Sequence, residues 1–231
     1  PVGADGDPAR CGDEPLMIAR AAQVPVMIDP DRPRALAWTL ERDCPDVVIS
    51  DDGLQHYALP RTAELAVIDA GQGLGNGRCL PAGPLREPAR RLDEGDWLVS
   101  RGGPTGGRDA WTVELRSADP VNLASGEAMA RADFRERHPR VHALAGIGHP
   151  ANFFSTLRDE GLEVIEHPRP DHHAPTRRDL VFDDGLPVVM TEKDAVKCGD
   201  LHHGHAWVWP VRAELPTQLV EAIVQRLETT T

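Results

Sequence analysis

The chain has 231 residues, of which 40% are hydrophobic and 27% are charged, a balance typical of a globular protein with one large or two small cores. No apolar run approaches the roughly 20 residues that a membrane-spanning helix needs. The formal net charge of −12 argues against a nucleic-acid-binding protein, whose binding surface is basic. The four cysteines lack zinc-site spacing, which predicts free thiols in a reducing compartment.

The first 50 residues predict helices alternating with strands. We expect a loop over 1–12, then a helix that begins with Asp13 as its capping residue. A strand over 24–28, a helix over 34–42 and a strand over 46–50 follow. This alternation indicates a mostly parallel sheet with helices on both faces.

Polar side chains follow the apolar run at 46–50. Asp51 and Asp52 would stand at the carboxyl end of that strand, where open α/β sheets bind their ligands. Two adjacent carboxylates need a cation, and nucleotide-bound Mg²⁺ is a common one. Gln55 and His56 add hydrogen-bonding groups at the same end. The alternative interpretation is a plain polar turn after the strand.

A proline-rich segment at 80–88 carries Arg86 and Glu87 close in sequence to these acids, and it is too rich in proline for a helix or a central strand. The glycine-rich stretch 71–77 lacks both the GxGxxG and the GxxxxGK[ST] spacings, so it predicts a flexible loop. Two further strands of this first sheet are predicted over 63–69 and 96–100.

A shift to glycine and proline at 102–107 marks a boundary in the chain. Alternating residues predict a strand over 110–116, with 124–131 returning beside it as a β-ribbon. A second α/β unit follows, with predicted strands at 141–148, 162–166, 187–191 and 207–209 and helices at 152–158 and 217–228. The chain is therefore predicted to have three parts, 1–108, 109–135 and 136–231.

In the second half, residues 167–176 are the best candidate for chemistry. Prolines stiffen this segment and present Asp171, His172 and His173. Histidine titrates near neutral pH and supports general-base catalysis. An exposed polar loop without a function explains the same pattern equally well.

Seven short motifs stand in order along the chain, at 12–15, 50–56, 75–77, 80–88, 145–148, 170–173 and 191–197. Together they resemble the tetraacyldisaccharide 4'-kinase family of Gram-negative bacteria. The resemblance implies a P-loop NTPase-like α/β fold, with a mostly parallel sheet, helices on both faces, and a second smaller α/β domain joined by a β-ribbon. It also implies transfer of the ATP γ-phosphate to the 4'-hydroxyl of a lipid A disaccharide precursor, at the cytoplasmic face of the inner membrane.

The resemblance implies a catalytic base formed by Asp13 with a histidine of the 170–173 motif, and His172 is predicted in preference to His173. It also implies roles around ATP and Mg²⁺ for seven further residues. These are Asp51, Asp52 and Glu87 for the metal, Arg86 and Arg32 for transition-state charge, and Gln55 and His56 as lining of the same cleft.

The sequence departs from the family in one respect. The Walker A loop of the family precedes the 12–15 motif and follows a membrane-associated helix, and no GxxxxGK[ST] occurs in this sequence. The backbone cradle and the lysine that hold the β- and γ-phosphates are therefore absent from it. We expect a fragment of a longer kinase, inert by itself, or a gene product that starts late.

Two alternatives from other classes stay open. A metal-dependent hydrolase would use Asp51, Asp52, Asp171 and His172 as ligands and would need no P-loop. A non-catalytic remnant would keep the fold for binding, or without any function.

Overall fold

The computed structural model describes residues 1–103, 105, 107–199, 201 and 203–229. These residues form two compact units. The first unit joins Pro1–Pro45 to Ser117–Val211, and the second joins Asp46–Arg116 to the chain from Arg212 onward. The predicted parts 1–108, 109–135 and 136–231 divide the chain differently, and as functional domains they stay a prediction.

The described elements alternate between strands and helices. The strands are β1 Leu65–Asp69, β2 Trp97–Arg101, β3 Trp111–Ser117, β4 Val121–Asn122, β5 Arg140–Ala145, β6 Glu163–Pro168, β7 Val188–Met190, β8 Ala206–Val208 and β9 Val211–Glu214. The α-helices are α1 Pro8–Cys11, α2 Asp13–Ala22, α3 Arg32–Asp43, α4 Arg131–Arg137, α5 Pro150–Asp159, α6 Glu192–Ala195 and α7 Thr217–Glu228. Short 3₁₀ helices cover Ala89–Asp93, Arg177–Asp179 and Val196–Cys198. No described helix has both the length and the apolar character that crossing a membrane would require.

A five-stranded sheet in the order β4-β8-β7-β5-β6 forms the centre of the first unit. Only β4 runs antiparallel to its neighbour, and the pairs among β8, β7, β5 and β6 are parallel. Every residue of β7 is fully buried, as is most of β5, which is typical of parallel strands covered on both faces. The predicted α/β class with a mostly parallel sheet is confirmed.

Aromatic side chains fill the core on one side of this sheet. Phe134 of α4 is fully buried, and its ring meets the edges of Trp207 and Trp209 at centroid distances of 5.1 and 5.6 Å. Phe154 and Leu157 of α5 belong to the same cluster. Edge-to-face contacts of this kind add to the free energy gained from burial.

A four-stranded sheet in the order β1-β2-β3-β9 belongs to the second unit. The pairs β1 with β2 and β2 with β3 are parallel. Leu219 of α7 packs with Val99 and Val113 to form the small core of this unit. The structure confirms the helix predicted over 217–228.

Two predicted strands are wrong. The segment 46–50 has no strand partner among the described residues, and Ile49 is 89% exposed. In 24–28, only Val26 pairs, through one isolated bridge to Val2. An apolar β-branched run becomes a strand only where a neighbour accepts its backbone hydrogen bonds.

Two local predictions in the first unit also need correction. Residues 1–12 contain the helix α1, so they are not simply a loop. The returning strand predicted over 124–131 is a tight turn instead, in which Ala128 bridges to Val121. The adjoining strand β4 pairs with β8 rather than with β3, so the predicted ribbon does not form in that way.

A polar cluster borders the sheet of the first unit. His142 of β5 is buried, stacks on Phe182, and has Nδ1 2.8 Å from Nε2 of His167. Its Nε2 lies 3.1 Å from both carboxylate oxygens of Asp184. Burial lowers the pKa of His167, and the adjacent His142 and Arg169 lower it further, against the opposite effect of Asp179 and Asp184.

This cluster predicts a loss of stability in mild acid. The pKa of His167 is lower in the folded chain than its unfolded value of about 6.5, so the unfolded chain binds the proton more readily. The free energy of unfolding should fall as pH drops from about 6.5 towards the lower folded pKa. Urea titrations at several pH values should show this slope, and His167→Gln should reduce it, whereas replacement of the exposed His149 should not. An unchanged slope in His167→Gln would contradict the prediction.

Candidate active site

Asp13 stands at the first position of α2, in the first unit. It was predicted as the helix cap, but the capping position belongs to Gly12, whose φ of 86° and ψ of 154° favour glycine. Leu16 and Ala19 anchor the helix by packing with Val196. Asp13 itself is only 7% exposed, which is unusual for a carboxylate.

The chain brings His172 to Asp13 across 159 positions of sequence, with Nδ1 3.2 Å from Asp13 Oδ2. Asp13 Oδ1 accepts a hydrogen bond from the backbone of Glu14 at 3.1 Å. His172 adopts a left-handed conformation with φ of 61°, and its backbone N–H donates to Asp171 Oδ1 at 3.0 Å. Non-glycine residues in this conformation are uncommon and occur often at functional sites.

The two adjacent histidines have different partners. His173 Nε2 lies 3.4 Å from Asp179 Oδ2, whereas the side chain of His172 is 66% exposed beside Asp13. His172 is therefore the histidine of this motif that can meet a substrate together with Asp13. Its catalytic role stays a prediction.

Two lysines, four positions apart in sequence, lie close to Asp13 and His172. Lys193 Nζ donates to Glu14 Oε1 at 2.9 Å and to Asp171 Oδ1 at 3.3 Å. Burial lowers the pKa of Lys193, but the hydrogen bonds to the two carboxylates outweigh it and raise the pKa overall. Lys197 Nζ lies 3.9 Å from Asp13 Oδ2. These ion pairs connect the start of α2 to the loop that carries His172.

The second unit holds a separate polar cluster, built from the 50–57 and 80–88 segments. Arg86 Nη1 donates to Asp52 Oδ2 at 3.1 Å and to Gln55 Oε1 at 3.4 Å. Gln55 Nε2 donates to Glu87 Oε1 at 2.7 Å, and the hydroxyl of Tyr57 donates to the other Glu87 oxygen. The donors Tyr57 and Gln55 lower the pKa of Glu87.

Arginine side chains also form ion pairs next to this cluster. Arg91 Nη2 donates to Glu64 at 2.6 Å, and Arg91 Nε lies 3.7 Å from Glu87. Arg61 Nη1 donates to the same Glu64 carboxylate at 2.6 Å. Burial would raise the pKa of Glu64, but its hydrogen bonds to the two arginines lower it overall. The Glu87 side chain is thus fixed by hydrogen bonds and by an ion pair to Arg91, which is itself paired with Glu64.

Three predicted site residues have few contacts. Among the residues that the structure describes, the Asp51 and Arg32 side chains make no hydrogen bond or ion pair. Arg32 begins α3 in the first unit, and Asp51 belongs to the second. His56 is half-buried, and its backbone carbonyl accepts a hydrogen bond from Arg61. Their roles towards ATP stay predictions.

The hydrolase alternative uses four side chains as metal ligands. Asp171 and His172 belong to the first unit, and Asp51 and Asp52 to the second. Within the described ranges, no three or more His, Cys, Asp and Glu side chains are grouped so that they could hold a metal ion. The proposed ligand group is therefore not assembled within either unit.

Sequence reasoning missed several contacting residues. Neither Glu14 nor Tyr57 was predicted as a site residue, but Glu14 pairs with Lys193, and Tyr57 donates to Glu87. The contacts of Lys197 were not foreseen either. One signal was present: Lys193 and Lys197 stand four positions apart and are the two lysines among 25 Lys and Arg residues.

Comparisons with known proteins identify the family. The family model described as LpxK, tetraacyldisaccharide-1-P 4'-kinase, matches residues 1–228. A tetraacyldisaccharide 4'-kinase of Alcanivorax borkumensis is 52% identical over 97% of this chain and 68% of its own length. A second, from Alkalilimnicola ehrlichii, is 49% identical over 100% of this chain and 69% of its own length.

The fold agrees with this identification. A solved structure of LpxK from Aquifex aeolicus in complex with ATP matches with a TM-score of 0.72 and 25% identity, over 96% of this chain and 70% of that one. The predicted resemblance is thus confirmed by sequence and by fold. The chain belongs to the tetraacyldisaccharide 4'-kinase family.

Proposed function

We propose that this protein transfers the γ-phosphate of ATP to the 4'-hydroxyl of tetraacyldisaccharide 1-phosphate in lipid A biosynthesis. Family membership supports the reaction class, and the ATP complex of the Aquifex aeolicus relative supports ATP as the donor. The observation that carries the proposal is the contact between Asp13 Oδ2 and His172 Nδ1, because phosphorylation of a hydroxyl needs a group that accepts its proton.

The two residues divide the work of the base. Asp13 accepts the proton of the 4'-hydroxyl while that oxygen bonds to the γ-phosphorus and the bond from phosphorus to the bridging oxygen of ADP breaks. His172 orients the carboxylate through Nδ1 and shares the proton. The burial of Asp13 suits this role, since a carboxylate shielded from water interacts more strongly with the reacting groups.

The donor set of the second unit fits Mg²⁺. Asp51 and Asp52 are exposed carboxylates, and Mg²⁺ is bound by one or two carboxylates together with phosphate oxygens. When bound, the ion would neutralise charge on the β- and γ-phosphates. Glu87 fits less well, because Gln55 and Tyr57 already occupy its oxygens.

Arg86 would balance charge on the transferred phosphoryl group. Its side chain is 63% exposed and pairs with Asp52, so it is free to exchange that partner for a phosphate oxygen. We also place the reaction at the cytoplasmic face of the inner membrane, since the substrate carries acyl chains that stay in the bilayer.

Replacement of Asp52 tests the metal and nucleotide part of this proposal. In the purified enzyme, Asp52→Asn should raise KM for Mg·ATP and lower kcat/KM roughly 10- to 100-fold, the range for losing a hydrogen bond to a charged group. Steady-state kinetics at varied Mg²⁺ would measure this change. Asp93→Asn is the matched control, because Asp93 is also exposed and paired with an arginine, Arg108 at 3.0 Å. Equal effects of the two variants, or no transfer to the lipid acceptor, would contradict the proposal.

A further inference from the structure

The chain's two lysines are concentrated in one short segment. Of 25 Lys and Arg residues in the sequence, Lys193 and Lys197 are the two lysines. Both lie next to the contact between Asp13 and His172, and elsewhere the chain uses arginine for its cations. The ammonium group of lysine is a compact charge, whereas the guanidinium of arginine is a larger planar group with five N–H donors. The choice of lysine here therefore fits a narrow buried space between carboxylates.

Lys197 is held between two acids. Its side chain is only 6% exposed, and its ammonium lies 2.8 Å from Asp194 Oδ1 and 3.9 Å from Asp13 Oδ2. The short distance to Asp194 makes an ion pair, but the alignment is not that of a hydrogen bond. Among the described residues, the Lys197 ammonium has no hydrogen-bond partner. Its interaction with both acids is therefore electrostatic.

Asp194 is fixed independently of Lys197. It is fully buried, and its Oδ2 accepts hydrogen bonds from Thr191 Oγ1 at 2.7 Å and from the backbone of Gly146 at 3.0 Å. A Cβ at position 146 would lie 2.9 Å from Asp194 Oδ1, so glycine is needed for this close approach. Asp194 thus forms a rigid anchor that sets the position of the Lys197 ammonium.

We propose that Lys197 is a positioning residue, whose positive charge holds the Asp13 carboxylate in place beside His172. Opposite charges about 4 Å apart attract strongly in surroundings shielded from water. Asp13 Oδ2 faces both Lys197 and His172, while its Oδ1 accepts from the backbone of Glu14, so the carboxylate is constrained on both sides. The inference rests on the proposed role of Asp13 as the base.

The kinetic test compares single and double variants of the full-length protein. Lys197→Met should lower kcat roughly 10- to 100-fold, the range of coupling between groups in contact, with little change in KM for ATP or lipid. In an Asp13→Asn background, the same replacement should lower kcat little further, because Lys197 acts through the Asp13 charge. Asp194→Asn combined with Lys197→Met should show the same loss in kcat, and this variant avoids leaving Asp194 as an unpaired buried charge.

A spectroscopic test does not depend on turnover. In protein labelled with ¹⁵N-lysine, Lys193→Met and Lys197→Met each remove one side-chain ammonium signal and so assign the two signals of this segment. Asp13→Asn should shift the Lys197 signal more than that of Lys193, whose ion pairs are with Glu14 and Asp171. An unshifted Lys197 signal would overturn the inference.

The possible outcomes distinguish a failure of the Lys197 inference from a failure of the proposed role of Asp13 as the base. If Asp13→Asn keeps a normal kcat, the proposed base is wrong and Lys197 has nothing to position. If Asp13→Asn loses activity while both variants that lack Lys197 keep it, the base stands and the positioning role fails. If the Lys197 and Asp13 losses multiply in the double variant, Lys197 acts by another route, and the inference also fails.

Discussion

Asp13→Ala and His172→Ala are each expected to lower kcat roughly 10²- to 10⁴-fold in the full-length enzyme, the usual contribution of general-base catalysis. The reason is the contact of 3.2 Å between Asp13 Oδ2 and His172 Nδ1, which makes the two side chains one proton-accepting unit. KM for ATP should hardly change, because neither residue is assigned to the nucleotide. Single-turnover and steady-state measurements with the lipid acceptor would give both constants.

The double variant provides the sharper test. Residues that act as a unit are not additive, so removing both should cost little more than removing one. His173→Ala is the matched control, because His173 is the neighbouring histidine and contacts Asp179 instead of Asp13. Losses that simply multiply, or a near-normal kcat for Asp13→Ala, would show that the base lies elsewhere.

Phe134→Ala should destabilise the first unit by about 3–5 kcal/mol, the usual cost of removing a buried aromatic ring. Phe134 is fully buried, and its ring contacts both Trp207 and Trp209 edge to face, so its loss leaves a cavity and removes two aromatic contacts. Urea unfolding followed by circular dichroism would measure the change in the free energy of unfolding.

Phe134→Leu is the graded control for this prediction. Leucine fills most of the same volume, so it should cost clearly less than the alanine variant. A cost below about 1 kcal/mol for Phe134→Ala would mean that the core collapses around the missing ring. The aromatic cluster would then contribute much less to the stability of this unit than its burial indicates.

Local sequence was sufficient to predict several elements of the second half of the chain. The helix predicted over 217–228 matches the structure. The buried run around β7 was also predicted as a strand. In each case, the signal is local: apolar residues recur at the period of the element, and the residues that start the element lie next to them in sequence.

The same kind of signal failed at 24–28 and 46–50, for a physical reason. Both segments have strand-like composition, but a strand is formed by hydrogen bonds to a partner that local sequence does not specify. In the described structure, Val47, Val48 and Ile49 stay exposed without a strand beside them. The β-propensity of a segment gives only a preference, and pairing with a neighbouring strand decides whether the segment forms a strand.

The sequence by itself determined the family and nominated Asp13, His172, Asp52 and Arg86, because these residues stand in short motifs whose order is distinctive. Only the tertiary structure decided which side chains meet. It brought His172, and not His173, to Asp13 across 159 positions, and it set Lys197 between Asp13 and Asp194. These contacts depend on how α2 and the 170–173 loop pack within the first unit. Packing of this kind is a property of the folded chain, and the spacing of residues in the sequence does not predict it.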